Sequence, residues 1–241
     1  DGGVDAADSM PPDSDAPPDG PFVARTIQEV RDPSTPNGTL VQLTGVIVTA
    51  VDTYGPRTGD VWVQEPGGGP NSGIKVVGLE STVVSTLQFR DVVDISGVKD
   101  EFALSMDTTG RTAMEITLSP TVPLTLTKQG ITATVTLDFV DADTVAALPV
   151  AQRDQEYRKW DGAYVQLTNV KALTGLTNVG QTGDKRFQLP AYYVISWHSE
   201  LPASITTGTC FAAVRGVVDY FFDYLVVPPQ GGVLTTGGVC P

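Results

Sequence analysis

The hexapeptide Val41-Gln42-Leu43-Thr44-Gly45-Val46 returns later in the chain as Val165-Gln166-Leu167-Thr168-Asn169-Val170. Further on, Ile95-Ser96-Gly97-Val98-Lys99-Asp100-Glu101-Phe102 returns as Val214-Arg215-Gly216-Val217-Val218-Asp219-Tyr220-Phe221. Both recurrences are displaced by about 120 residues and keep their order, which chance seldom produces and a duplicated domain of about a hundred residues does. Within the first copy Val41, Leu43, Ile47 and Val51 fall on one side of an extended chain and Gln42 and Thr44 on the other, the period of a half-buried strand.

Size and composition agree with this reading. A chain of 241 residues suits two domains of ordinary size. Hydrophobic residues make up 41% and charged residues only 18%, with 25 Gly and 18 Pro, the balance of a β protein rich in turns. The formal charge of −13 repels a phosphate backbone and an anionic membrane surface, so nucleic acid is an unfavoured partner. No run of eighteen apolar residues occurs, so no membrane-spanning segment is predicted. The chain opens at Asp1 without an initiator Met, as a processed product does.

Periodicity and turn signals predict five strands in each copy: 39–51, 60–65, 74–78, 91–99 and 111–118, then 164–173, 187–189, 192–197, 209–220 and 224–228. Thr26-Ile27-Gln28-Glu29 is a capping box that starts a short helix, and 153–160 is a second. Pro66 to Gly73 reads as a hairpin loop; its three adjacent glycines lack the Gly-Lys-Ser/Thr of a phosphate cradle. Residues 121–150 read as a connection. Gly45 and Gly97, each inside a strand, allow the sharp coiling of a small closed barrel.

The stretches TIQEVRDP (26–33), VQLTGVIVTAV (41–51), VWVQEPGGGPNSGIKVVG (61–78), DVVDISGVKDEF (91–102) and MEITLSP (114–120) together resemble the OB-fold domains of secreted bacterial proteins, including surface lipoproteins and the accessory domains of extracellular nucleases. The resemblance covers about 25–120, and the second copy resembles the same family. It implies an all-β fold of two tandem five-stranded OB-like Greek-key barrels with short helices: an acidic arm over 1–24, barrel one over 25–124 and barrel two over 125–241. It carries over a fold and no active site, because such nucleases keep catalysis in a separate domain.

The residues themselves offer little chemistry. His198 is the only histidine. Its neighbours Ser196 and Ser199 do not make a triad, and too few imidazole or thiolate ligands exist for zinc, so it reads as a surface or strand-end residue. Asp94, Asp100, Glu101, Asp138, Asp141 and Asp143 are the carboxylates available to a hydrolase, and none sits in a motif. Asp100 and Asp219 hold equivalent places directly after strand four, where an Asp closes a turn through its own backbone. A barrel groove on strands two and three would draw on Tyr54, Arg57, Trp62 and Lys75 in copy one and on Lys185, Arg186, Tyr192 and Trp197 in copy two.

Cys210 and Cys240 are the only cysteines and are predicted to staple the Gly-rich tail to the second barrel, worth about 3–4 kcal/mol in the chain-entropy treatment and implying an oxidising compartment. The first twenty residues hold six Asp and no basic residue, the composition of a spacer. Asp13, Asp15 and Asp19 are weak calcium candidates, since their spacing misses the EF-hand loop; no other cofactor is expected. The sequence thus predicts a non-catalytic, secreted or cell-surface structural protein whose partner is another protein, including copies of itself in a filament built through the acidic arm. A module binding a glycan or single-stranded nucleic acid in the groove, and an accessory module of an extracellular hydrolase, are the alternatives.

Overall fold

The structure, a computed structural model, describes residues 22–53, 59–180, 183–230 and 232–240. The Thr26 hydroxyl accepts from the Glu29 amide while the Glu29 carboxylate accepts from the Thr26 amide. This capping box starts α1 (Ile27–Arg31), just after a two-residue strand, β1 (Val23–Ala24). Next come β2 (Leu40–Val51), β3 (Val61–Gln64), β4 (Gly73–Val76), α2 (Ser81–Val84), β5 (Asp91–Phe102), β6 (Ala113–Thr117) and β7 (Thr125–Thr132). The second half runs β8 (Asp138–Val140), α3 (Ala142–Ala147), α4 (Val150–Trp160), β9 (Tyr164–Lys171), β10 (Thr177–Asn178), β11 (Lys185–Gln188), β12 (Tyr193–Ile195), β13 (Cys210–Phe221), β14 (Asp223–Val227) and β15 (Leu234–Thr236).

In the first half β2 pairs β3, β3 pairs β4, β4 pairs β6 in parallel, β6 pairs β5, and β5 returns to β2. The sheet therefore closes into a five-stranded barrel of OB-like order. In the second half β11 pairs β12, β12 pairs β14 in parallel, β14 pairs β13, and β13 pairs β9. These ladders repeat those of the first half one for one, except at the closing seam. Where β2 and β3 form a ladder, the described residues show the Leu173 amide donating to the Gln188 carbonyl at 2.7 Å, just past the end of β9. The second sheet runs as an open path from β10 to β8, with β15 lying on β13.

The repeated hexapeptide explains part of this likeness. Gly45 sits at φ +71° and Asn169, its counterpart, at φ +52°. Both adopt the left-handed conformation, which Gly takes freely and Asn tolerates better than other side chains. The other repeated glycines, Gly97 and Gly216, serve through space. A methyl group on Gly97 would lie 2.9 Å from the Thr117 carbonyl oxygen of β6, and on Gly216 2.6 Å from the Val227 carbonyl oxygen of β14.

Several boundaries differ from the sequence expectation. Val23–Ala24 lies parallel against Val41 and Gln42, so the end of the stretch assigned to the arm belongs to the barrel. The stretch 121–150 is not a plain connection: β7 adds to β5 in the first sheet and β8 joins β9 in the second. β7 escaped notice because it is largely exposed and reads as polar. β7 ends at Thr132 and β8 begins at Asp138, so the first sheet's last strand and the second sheet's first flank residues 133–137. Cys210 and Cys240 form the expected disulfide, and β15 pairs with β13 just before it.

Strand alternation sorts the apolar residues into three layers. Val46, Val48, Val61, Val63, Val93 and Ile95 fill the barrel. Val165, Val194, Val214, Val218, Tyr224 and Val226 fill the core of the second half. The residues that alternate with these, Trp62, Tyr164, Ile195, Val217, Leu225 and Val227, make a third core between the two sheets, joined by Ala50, which a register shift in β2 sets opposite Trp62. β3 and most of β14 are therefore buried on both faces.

The left-handed site gives a direct test of the repeat. Gly45→Ala is expected to lower stability by about 1–2 kcal/mol, since its side chain would meet no close neighbour and the cost is conformational. Gly45→Asn is expected to cost distinctly less, because Asn169 holds the same conformation. Urea denaturation of both variants measures the difference.

Candidate functional site

Buried charged groups gather where the two halves meet. Gly73 opens β4 and Gly162 precedes β9, and their backbones touch: a methyl group on Gly73 would lie 2.1 Å from the Gly162 carbonyl carbon. Nearby, the Asn71 amide donates to the Lys159 carbonyl at 2.6 Å. Arg31, at the end of α1, bridges the contact. Its guanidinium donates to the Gly73 carbonyl at 3.1 Å, the Asp161 carbonyl at 2.9 Å and the Arg158 carbonyl. Its charge faces the Asp161 carboxylate at 3.8 Å. Burial pulls the Arg31 guanidinium below its usual value against the field of Asp161, and burial pushes the Asp161 carboxyl up to about 6.

Gln64 spans the same seam. Its amide nitrogen donates to the Thr136 carbonyl at 2.9 Å, and its oxygen accepts from the Tyr164 amide at 2.7 Å. Asp138 accepts from the Gly69 amide at 2.8 Å, and the Thr136 hydroxyl donates to the Pro66 carbonyl at 2.6 Å. The Gly-rich loop is the hairpin loop between β3 and β4, as the sequence predicts, and the second half also grips it.

A second cluster surrounds Lys75. Its ammonium lies 2.9 Å from Asp60, 3.5 Å from Asp219 of the second half and 4.9 Å from the Trp62 ring. Burial opposes its charge, but Asp219 and Asp60 outweigh burial and hold its pKa above the ordinary lysine value. Glu115 pairs beside Lys75 across β4 and β6. Burial pushes its carboxyl up to about 7, with Lys75 opposing and the nearby acids Asp100, Asp60 and Asp219 adding. His198 rests against Trp62 with ring centres 4.6 Å apart. It is 0% exposed, and burial followed by the charge of Lys75 lowers its pKa to about 3, so it is neutral.

Several sequence-level readings change here. His198 is not a surface residue; Trp62 of the first half and the interlayer core enclose it, which no local pattern shows. Asp100 and Asp219 lie inside β5 and β13, not after them, because both strands run on to the Phe. Each still accepts from the following amide at 2.8 Å, as a turn Asp would, while the second oxygen of Asp219 faces Lys75.

Of the groove candidates, Trp62, Trp197 and Lys75 come together, but on the seam rather than on an open face. Trp62 is 1% and Trp197 6% exposed, so neither ring has a free side on which a ligand can stack. Tyr192 is buried in a different place, beneath α4, with its ring 5.1 Å from Tyr157. Arg186 lies over the Tyr193 ring at 4.3 Å and 3.5 Å from Asp223, and Lys185 is exposed. Tyr54, Arg57 and the calcium candidates Asp13, Asp15 and Asp19 lie outside the described residues. Among the described residues no group of three or more His, Cys, Asp or Glu is placed to hold a metal ion, and no helix is long and apolar enough to cross a membrane.

Of the six carboxylates considered for hydrolysis, Asp141 and Asp143 line one cavity at the start of α3, and the others make separate contacts. Asp94 accepts from the Gly45 amide, Asp138 from Gly69, and Asp141 caps α3 at the Asp143 and Thr144 amides. Asp100 accepts from the Glu101 amide, and Glu101 meets Thr112 and Arg158. Asp143 stands exposed in the first turn of α3. The residues that sequence reasoning missed are Arg31, Gln64, Gly73 and Asp161; the doublet Asp161-Gly162 before a strand was the one available signal.

No protein-family model matches the chain, and no curated protein matches it. Among solved structures, it is similar to a chain of a replication protein A heterotrimer bound to ssDNA, at 12% identity and a TM-score of 0.29 over 83% of its length. The match covers 48% of that chain, so the present chain accounts for about half of it. It is also similar to a murine DNA-binding protein bound with ds DNA, at 8% identity and a TM-score of 0.32, covering 82% of this chain and 96% of that one. Likenesses at this level carry no argument about function.

The charge state of Glu115 yields a pH test. Its folded pKa, about 7, lies above the unfolded value of 4.5, so its stabilising contribution is full below pH 4.5 and is lost as pH rises through 7. Asp161 acts in the same direction, while His198 acts in the opposite one, losing stability as pH falls from 6.5 toward 3. Glu115→Gln keeps the neutral form at every pH and isolates the first effect. Relative to the unmodified chain, the variant is expected to gain about 1–2 kcal/mol between pH 4.5 and pH 8, after allowance for nearby water. Paired urea melts at the two pH values measure it.

Proposed function

We propose that this chain is a non-catalytic secreted or cell-surface interaction protein, built from two OB-like barrels in tandem, that assembles with copies of itself through its acidic N-terminal arm. The observation that carries the part of this reading that sets groove binding aside is the seam. Trp62, Lys75 and Trp197, which a pair of independent ligand-binding barrels would present to solvent, are packed between the halves. A duplicated domain used in this way forms a stiff body rather than two open grooves. The matching ladder order and the shared left-handed site at Gly45 and Asn169 support the duplication. The structural hydrogen bonds that most of these carboxylates make support a role without catalysis, and the Cys210–Cys240 bond supports an oxidising compartment.

The test compares the full chain with a chain lacking residues 1–21, by size-exclusion chromatography with light scattering and by negative-stain electron microscopy. Assemblies that disappear on truncation are expected; monomers in both cases contradict self-assembly. On the same samples, titration with a single-stranded oligonucleotide at low salt is expected to leave tryptophan fluorescence unchanged. Quenching would revive the groove-binding alternative.

A further inference from the structure

The seam is a joint with a seat and a plug. The seat belongs to the first half: Gln64 ends β3, Asn71 and Gly73 lead into β4, and Ala113 opens β6. The plug belongs to the second half: the turn at Asp161 and Gly162, with Thr136 alongside. Gln64 donates to the Thr136 carbonyl, the Asn71 amide donates to the Lys159 carbonyl, Gly73 meets Gly162, and Ala113 packs into the second core.

The strand ladders carry every seat position into the second half. Gln64 faces Gly73 across β3 and β4, as Gln188 faces Tyr193 across β11 and β12. Phe102 faces Ala113 as Phe221 faces Asp223. Asn71 and Ala191, two residues before Gly73 and Tyr193, stand at φ 61° and 65°. The four counterparts, Gln188, Ala191, Tyr193 and Asp223, line one cavity of about 240 Å³ beneath α4. Where the first seat holds a plug, the second is an open cavity.

The plug is duplicated as well. Gly38 and Gly162 each stand three residues ahead of the repeated hexapeptide, at φ +82° and +79°. Gly162 is packed against Gly73, but a methyl group on Gly38 would meet nothing within 4 Å, and Asn37 before it is exposed. β1 and β8 pair with the two hexapeptides in the same register, so Pro21, near the end of the acidic arm, holds the place of Thr136.

Charge fits the same assignment. Asp161 stands opposite Arg31 in the first seat. Its counterpart Asn37 is neutral, and the second seat's Arg111 is already paired with Asp154 and its Asp223 with Arg186. Docking there leaves no new charge buried without a partner. Tyr193 stands where Gly73 does, so the two backbones cannot meet as closely, and a joint between chains is looser than the seam.

We propose that the first half of a second copy docks on this cavity, entering with its Asn37-Gly38 turn and laying the end of its arm over Gln188. This rests on the self-assembly reading and names the two surfaces that meet. Seat and plug are different surfaces, so the contact is heterologous and propagates head to tail.

Asn37→Cys and Gln188→Cys, made in separate full-length chains and mixed under mild oxidation, test the contact. A disulfide joining positions 37 and 188, identified by peptide mass spectrometry, is expected in about tenfold excess over either like-with-like product, because a disulfide forms only between closely apposed residues. In sedimentation velocity, full-length Asn37→Lys is expected to associate about tenfold more weakly than the unmodified chain, with an unchanged melting temperature because the turn is exposed. Equal yields of the three disulfide products overturn the proposal. Assemblies that require residues 1–21 but are undiminished in Asn37→Lys also overturn it, and leave the self-assembly reading standing. Monomers at every concentration overturn both.

Discussion

Two backbones meet without side chains between them at Gly73 and Gly162, and the rest of the molecule is arranged around that contact. A methyl group on either glycine would fall within 2.6 Å of the other's backbone. Only at this separation can Arg31 reach three carbonyl oxygens drawn from both halves while its charge stays close to Asp161. A buried ion pair is weak evidence of stability by itself, because desolvation offsets much of its attraction. Its directional hydrogen bonds act differently: they admit one relative placement of the two halves. The apolar layer around Trp62, Trp197 and Leu225 supplies the attraction, and the polar groups set its register.

That division of labour bears on function. A surface that is buried between halves is not a groove, whatever its aromatic and basic composition. Lys75, with Asp60 and Asp219 beside it and Trp62 beneath it, has the composition of a binding site and the environment of a structural joint.

How much of this could be read from the sequence follows from how local each signal is. The capping box at Thr26, the strand cores and the repeat were legible because they depend on neighbours a few residues apart. Even the substitution of Asn169 for Gly45 kept its meaning, since both residues tolerate the left-handed conformation. β7 was missed because an edge strand with little burial carries little alternation. The seam was illegible for a different reason. A strand such as β3, buried on both faces, shows which residues leave water but not what covers them. Trp62 therefore looked like a groove aromatic, and His198, beside two serines, looked like a surface residue. Arg31 and Asp161 stand 130 positions apart, beyond the reach of any spacing argument.

If the seam makes one body of the two halves, they must unfold together. Differential scanning calorimetry of the oxidised chain, alone and as Arg31→Met, tests this most directly. One transition with a calorimetric to van't Hoff enthalpy ratio of about one is predicted for the unmodified chain. The variant, with Asp161 left buried and unpaired, is predicted to lose about 3–5 kcal/mol or to split into two transitions. Two separate transitions in the unmodified chain, or a variant indistinguishable from it, would contradict the account.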